Sequence, residues 1–191
     1  MTISPDEAFR RGLDVFGDVV DRVDDAAWSA ASPCEGWTAL DVLGHLGTAI
    51  QFGVAAMRGE DFQWLEVDRP ADLVDGEPRD YWAHTAVQAR EALVGADLDA
   101  EVDTPMGKRT VGDRLAFPAV DLFVHAWDIG RSAGLPVEVP RDIIDFAHAF
   151  IDPIPTEMVR GGKGAFGPEV EPPADATPTE SFIAWTGRAP R

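Results

Sequence analysis

Apolar residues dominate positions 117–130, and the few polar residues among them recur at helical spacing. Residues three and four apart share a helix face, so this spacing predicts a helix with Asp121, His125 and Asp128 on one stripe. The other positions are apolar or small almost all round, which is typical of a buried helix. Burying two carboxylates and an imidazole is unfavourable unless something pairs with them, and a divalent metal would satisfy them best.

Residues 38–52 repeat this pattern on a second predicted helix, where Asp41, His45 and Thr48 form the stripe. Both helices therefore carry Asp-x-x-x-His, although each histidine taken alone could equally be a hydrogen-bonded core residue. Two such stripes in one small domain favour a shared metal site. Asp41 follows Thr38 by three residues, so capping of this helix explains Asp41 better than metal ligation does.

The remaining pattern predicts an all-α fold in a single domain, residues 1–191. Small side chains at Gly44 and Gly47 predict that the two striped helices approach closely. The striped helix that carries Asp121 is predicted to begin at a cap on Thr110 and to end by residue 134. It is predicted to be unbroken, with Pro118 near its start. The patterns also predict helices over residues 5–23, 78–94, 140–152 and 177–185, a hairpin or extended excursion over 98–109, and a proline- and glycine-rich tail, 153–191, packed on a bundle of about 4–152.

Composition narrows the classes of function. The chain has 191 residues with 34 acidic and 16 basic side chains, a formal net charge of -18. Nucleic-acid and anionic-membrane binding both need a cationic surface, so neither partner is expected. The apolar runs are expected to be too short to cross a bilayer, and no signal peptide is visible, which favours a cytoplasmic protein. The single cysteine, Cys34, cannot form an internal disulfide, and packing in a loop is favoured over a reactive thiol.

Three segments resemble the DinB/YfiT-like metal-binding superfamily, and more narrowly its branch that includes mycothiol-dependent maleylpyruvate isomerase. They are Pro-Cys-Glu-Gly-Trp-Thr at residues 33–38, Leu-Gly-His-Leu at 43–46, and the run from proline to aspartate at 118–128. Residues 166–175 and 185–188 also look like the closing segments of uncharacterised members, so the resemblance covers nearly the whole chain. The resemblance implies a four-helix bundle with one divalent metal, zinc or nickel, near one end.

Carried over residue by residue, the ligands of this family fall on His45, Asp121 and His125. The isomerase has glutamate where this chain has Asp121. The resemblance implies that Asp128 lies just outside the ligands and orients an imidazole N–H. Asp41 is the other carboxylate expected just outside the ligands.

Three protein ligands leave a coordination position open, as in a catalytic rather than a structural zinc site. The resemblance therefore implies a metal-dependent enzyme that uses a low-molecular-weight thiol such as mycothiol, a transferase or isomerase acting on a small electrophile. The alternatives are a non-catalytic bundle that binds a metal or a small molecule, and a bundle whose histidines are only structural. The expected partners are a small-molecule substrate or thiol, with a homodimer left open.

Overall fold

The computed structural model of the protein describes residues 3–63, 65–104, 107–160 and 165–191. These residues are mostly helical, with a small two-stranded sheet. They divide into two compact units, Ser4–Val137 on one hand and Ile3 with Glu138–Arg191 on the other. The expectation of one domain with a packed tail from residue 153 stays a prediction.

The first unit contains the long helices. In chain order its helices are α1 (Pro5–Arg22), α2 (Ala39–Arg58), α3 (Pro78–Gly95), α4 (Val111–Arg114) and α5 (Ala116–Ala133), with short 3-10 helices at Asp25–Ser29 and Pro70–Leu73. Helices α1 and α2 each pack against both α3 and α5. The core between them is made of large apolar side chains at helical spacing, among them Phe9, Leu13, Phe16, Leu43, Leu46, Ile50, Leu122, Phe123 and Ile129.

Helices α2 and α5 do pack together, but the predicted reason for their approach is wrong. A methyl group at Gly44 would overlap the carbonyl oxygen of Pro70, and one at Gly47 would overlap the ring and hydroxyl of Tyr81. Gly44 therefore makes room for the chain that follows α2, and Gly47 makes room for α3. The sequence shows that a close approach is needed there, but not which element makes it.

The helix predicted to run unbroken from Thr110 is divided in two. Thr110 caps α4 as predicted, in a reciprocal box with Asp113. The chain then leaves the helix at Leu115, and α5 begins at Ala116. Pro118 accounts for the break, because it has no N–H and its ring clashes with the carbonyl four residues earlier. The break is placed so that the polar stripe of α5 begins after it.

The predicted hairpin is confirmed. Strands β1 (Glu101–Thr104) and β2 (Gly107–Thr110) pair antiparallel, with Glu101 opposite Thr110. Its predicted tip at residues 105 and 106 lies outside the described part of the chain. The second strand ends directly at the cap of α4, so the hairpin leads the chain into the helices that carry the polar stripe.

Helix α2 is long and apolar enough to cross a membrane by length and composition alone, with a hydropathy of 1.2. The expectation that every apolar run is too short is wrong in that respect. However, 72% of this stretch is buried inside the protein, which is common for the core helix of a globular protein.

In the second unit, the described residues form helices α6 (Arg141–Ile151), α7 (Thr156–Val159) and α8 (Pro178–Trp185). The helices predicted over residues 140–152 and 177–185 are therefore confirmed, including the capping box of Thr177 with Glu180. The Arg160 guanidinium donates to the carbonyl oxygens of Gly167 and Trp185 at 2.9 and 2.7 Å. These bonds hold the irregular segment around Gly167 against the end of α8.

Candidate metal centre

The structure brings the three predicted ligands together. A nitrogen of His45, a carboxylate oxygen of Asp121 and a nitrogen of His125 all lie within 4.8 Å of one another. His45 comes from α2, and the other two lie one turn apart on α5. The two imidazole rings meet edge to face with their centroids 5.1 Å apart. The convergence is therefore a feature of the fold, while metal binding by these residues stays a prediction.

The burial of these side chains differs from the prediction. His125 is only 6% exposed, but His45 and Asp121 are both half-buried. The apolar pattern of α5 predicts that Asp121 is buried along with the rest of the helix. Such a pattern does not show which part of a buried helix reaches the protein surface. Two of the three predicted ligands are therefore partly exposed to solvent.

Asp128 is fully buried and holds the ring of His125. The Nδ1–H of His125 donates to Oδ2 of Asp128 at 2.8 Å, one turn further along α5. An ionised carboxylate can only accept hydrogen bonds, so Nδ1 carries the proton and Nε2 is the nitrogen left for a metal. Asp128 thus has the contact expected of a carboxylate that orients an imidazole N–H.

The electrostatics of the cluster favour a positive charge at His125. Burial lowers the pKa of His125, but hydrogen bonds with Asp128 and Cys34 and the charges of Asp128 and Asp121 raise it further, to about 10. The carboxylates on α5 thus favour a positive charge on this imidazole, and a metal ion that binds Nε2 would have to displace a proton from it.

Asp41 acts as a cap, as its spacing from Thr38 predicts. Its Oδ2 accepts from the backbone N–H and the hydroxyl of Thr38 at 2.8 and 2.6 Å, and from Arg69 at 2.7 Å. Its Oδ1 accepts from the N–H of Ala71 at 3.1 Å. Burial raises the pKa of Asp41, but these hydrogen bonds outweigh it and hold the pKa well below its usual range. These contacts explain the buried carboxylate at the start of α2, and none of them involves the three predicted ligands.

Cys34 is the site residue that sequence reasoning missed. Its Sγ donates to Oδ2 of Asp128 at 3.4 Å, although the two residues are 94 positions apart. The same loop places the ring of Trp37 with its centroid 5.1 Å from that of His45. The position of Cys34 in the sequence could have indicated its role. Residues 33–37 lead directly into α2, so they must lie near the start of that helix.

The donor set fits a divalent first-row metal. Two imidazoles and a carboxylate suit zinc, nickel and their neighbours, and an oriented histidine beside a buried carboxylate is usual around such ions. Bonds near 2.0–2.1 Å in a tetrahedral site place ligand atoms about 3.4 Å apart. The donors, all within 4.8 Å, reach that spacing through side-chain shifts of about 1 Å or less.

Fold and site together define a mostly helical protein with an imidazole–carboxylate cluster between two helices. The family model of the mycothiol maleylpyruvate isomerase N-terminal domain matches residues 9–130, and the chain belongs to this family. The matched range covers Cys34, His45, Asp121, His125 and Asp128. The resemblance to the DinB-like superfamily is thereby confirmed at the level of this domain.

Similar proteins span the full chain. Two proteins from strains of Mycobacterium tuberculosis, named uncharacterized protein MT0763 and uncharacterized protein Rv0738, are each 24% identical over 196 residues, covering 99% of this chain and 100% of their own length.

Solved structures of mycothiol-dependent maleylpyruvate isomerase share the fold. One has a TM-score of 0.59 and a single-residue variant has 0.57, both at 18% identity over 74% of this chain. The match spans 65% of the length of that isomerase.

Proposed function

We propose that this protein binds a divalent metal and uses it with a low-molecular-weight thiol of the mycothiol type, as a transferase or isomerase acting on a small electrophile. The observation that carries the proposal is the convergence of His45, Asp121 and His125 from two helices. Membership of the isomerase domain family supports the thiol and an isomerase-like reaction at the level of the family.

Each residue has a role in this proposal. His45, Asp121 and Nε2 of His125 would hold the ion, which would be zinc or nickel. An ion held by these residues would lower the pKa of a bound thiol and so favour the nucleophilic thiolate. Asp128 holds the ring of His125 in the orientation that directs Nε2 toward the other donors. The ring of Trp37 packs beside the ring of His45, on the same loop that carries Cys34.

The metal is tested by competitive titration against a zinc chelator. His45→Ala and His125→Ala should each abolish tight binding, and Asp121→Asn should weaken it at least about tenfold. Asp41→Asn is the matched control, because Asp41 heads the other Asp-x-x-x-His pair and makes its hydrogen bonds to the cap, Arg69 and Ala71. Loss of metal in Asp41→Asn with full binding in Asp121→Asn would show that the third ligand is wrongly assigned.

The chemistry is tested by thiol consumption. Zinc-loaded protein, mycothiol and a panel of small electrophiles should give a rate that falls to background after chelation and returns when zinc is added back. A matching test for isomerisation follows the absorbance of an unsaturated diacid with catalytic rather than stoichiometric thiol. If the protein binds zinc tightly and neither assay shows turnover, the enzymatic part of the proposal is wrong.

A non-catalytic metal-binding protein is the second candidate. It is favoured by the limited overlap with the solved enzyme, since the chain matches 65% of that protein's length. Under this alternative, thiols and small acids would change the spectrum of cobalt-loaded protein without being consumed. We also propose that the four long helices form the DinB-like bundle. Light scattering after gel filtration would show whether the protein is a monomer or a homodimer in solution.

A further inference from the structure

We infer that Cys34 is a positioning residue of this centre, whose S–H donates to Asp128 and steadies the carboxylate that orients His125. The inference rests on the proposed metal centre, and it assigns a role to the only cysteine of the chain.

The three side chains form one hydrogen-bonded cluster centred on Oδ2 of Asp128, and Cys34 also contacts His125. Oδ2 of Asp128 accepts from Nδ1–H of His125 at 2.8 Å and from Sγ of Cys34 at 3.4 Å. Asp128 is 0% exposed, so water does not solvate its charge. A buried carboxylate is stable only where donors surround it, and the thiol is one of those donors. Removing it leaves the carboxylate more loosely held.

The backbone around Cys34 is fixed, so the thiol has a set direction. The hydroxyl of Ser32 accepts from the N–H of Cys34 at 3.1 Å and donates to its carbonyl at 3.3 Å. The carbonyl of Cys34 also accepts from the N–H of Trp37 at 3.0 Å, and the N–H of Ser32 donates to the carbonyl of Trp37 at 2.8 Å. These bonds close a tight turn directly before α2, and the turn aims Cys34 at a helix 94 positions away.

Ligation of a metal by Cys34 is the competing interpretation. Sγ of Cys34, His125 and Asp128 also offer donor atoms within 4.8 Å of one another. However, Nδ1 of His125 and Oδ2 of Asp128 lie 2.8 Å apart, a hydrogen-bond distance, whereas two ligands of one tetrahedral ion would lie about 3.4 Å apart. An ion there would also displace the proton through which Asp128 holds the ring. The geometry favours a hydrogen bond over ligation.

The test compares Cys34→Ala with Cys34→Ser, two side chains that differ by one hydroxyl. In chelator competition, Cys34→Ala should weaken zinc binding about tenfold, the lower end of the range for partners outside the ligands. Cys34→Ser keeps a donor and should remain within about twofold of the natural protein. Equal affinity in Cys34→Ala and the natural protein would overturn the inference. So would a loss in Cys34→Ser as large as that in Cys34→Ala, because it would show that the donor is not what matters.

A double-mutant cycle separates positioning from packing. If Cys34 acts through Asp128, Cys34→Ala should cost no further affinity once Asp128→Asn is present. Additive losses would show that Cys34 acts independently and would overturn the inference. Cobalt-loaded protein gives a second spectroscopic check, because intense near-ultraviolet absorption that disappears in Cys34→Ser would identify a thiolate ligand and overturn it as well.

The inference can fail separately from the metal proposal. If the natural protein binds no metal, the proposed function is wrong, and the exchange rate of the ring N–H of His125 still tests Cys34 in the metal-free protein. That proton should give a slowly exchanging resonance in the natural protein and in Cys34→Ser, and it should broaden in Cys34→Ala. An unchanged resonance in Cys34→Ala would refute the positioning role.

Discussion

Asp41→Asn should destabilise the protein without weakening its metal binding. The carboxylate is buried, with 1% of its side chain exposed, and it receives four hydrogen bonds at the start of α2. An asparagine can keep one oxygen on the Thr38 side. Its amide group then faces the N–H of Ala71, so two donors meet and one part-buried N–H loses its acceptor.

The expected loss follows from these contacts. A buried backbone donor left unsatisfied costs about 1–3 kcal/mol, so the loss should be about 2 kcal/mol. The ion pair with Arg69 adds little to this loss, because 57% of the Arg69 side chain is exposed and water screens its charge. For a chain of this size, about 2 kcal/mol lowers Tm by about 4–8 °C.

The stability difference between the natural protein and Asp41→Asn should become smaller at low pH. The folded protein holds the pKa of Asp41 well below its usual range, chiefly through Arg69 and Thr38 acting against burial. A carboxylate with a lowered folded pKa stabilises the fold above its unfolded pKa of about 3.9, and this stabilisation is lost as pH falls through the folded pKa. The gap between the natural protein and Asp41→Asn should therefore be constant from about pH 7 to 5 and narrow below about pH 4.

Urea unfolding followed by circular dichroism at pH 7, 5 and 3 measures this gap. Asp113→Asn is the matched control, since Asp113 makes the same box with Thr110 but is exposed and accepts at 3.3 Å. It should cost less than about 1 kcal/mol, as exposed caps do. A gap for Asp41→Asn that is equally wide at pH 3 and pH 7, or no larger than that of Asp113→Asn, would refute the reasoning.

Two further predictions concern packing and metal. Gly44→Ala should cost more stability than Gly47→Ala in thermal unfolding, because the first meets the backbone carbonyl of Pro70 and the second meets the ring of Tyr81, which can move. Equal losses would show that both contacts relax alike. Zinc at about 100 times its Kd should raise the unfolding free energy of the natural protein by about 2.7 kcal/mol, and a chelator should reverse it. An unfolding curve unchanged by zinc would contradict a site formed in the folded chain.

The local features of this fold could be predicted from the sequence, because they depend on neighbouring residues. The stripe of Asp121, His125 and Asp128 follows from helical period alone, and the cap of α2 follows from the spacing of Thr38 and Asp41. These features were confirmed because the same short stretch supplies both partners.

The contacts that depend on the path of the chain could not be predicted. Arg69 reaches Asp41 across 28 positions, and Cys34 reaches Asp128 across 94. Residues so far apart in the sequence leave no periodic pattern from which their contact could be predicted. Pro118 in the sequence indicates that the helix is disturbed near this position. Whether the helix bends or ends there depends on the elements that pack against it, which the sequence does not show.

The unit boundary after Val137 has a consequence for how the protein can evolve. The three candidate ligands, together with Cys34 and Asp128, all lie between residues 34 and 128, within the unit Ser4–Val137. Residues from Glu138 onward supply none of these five side chains. Substitutions there can be selected for other properties while the donor set is inherited unchanged, so homologues are expected to diverge faster after residue 138 than before it.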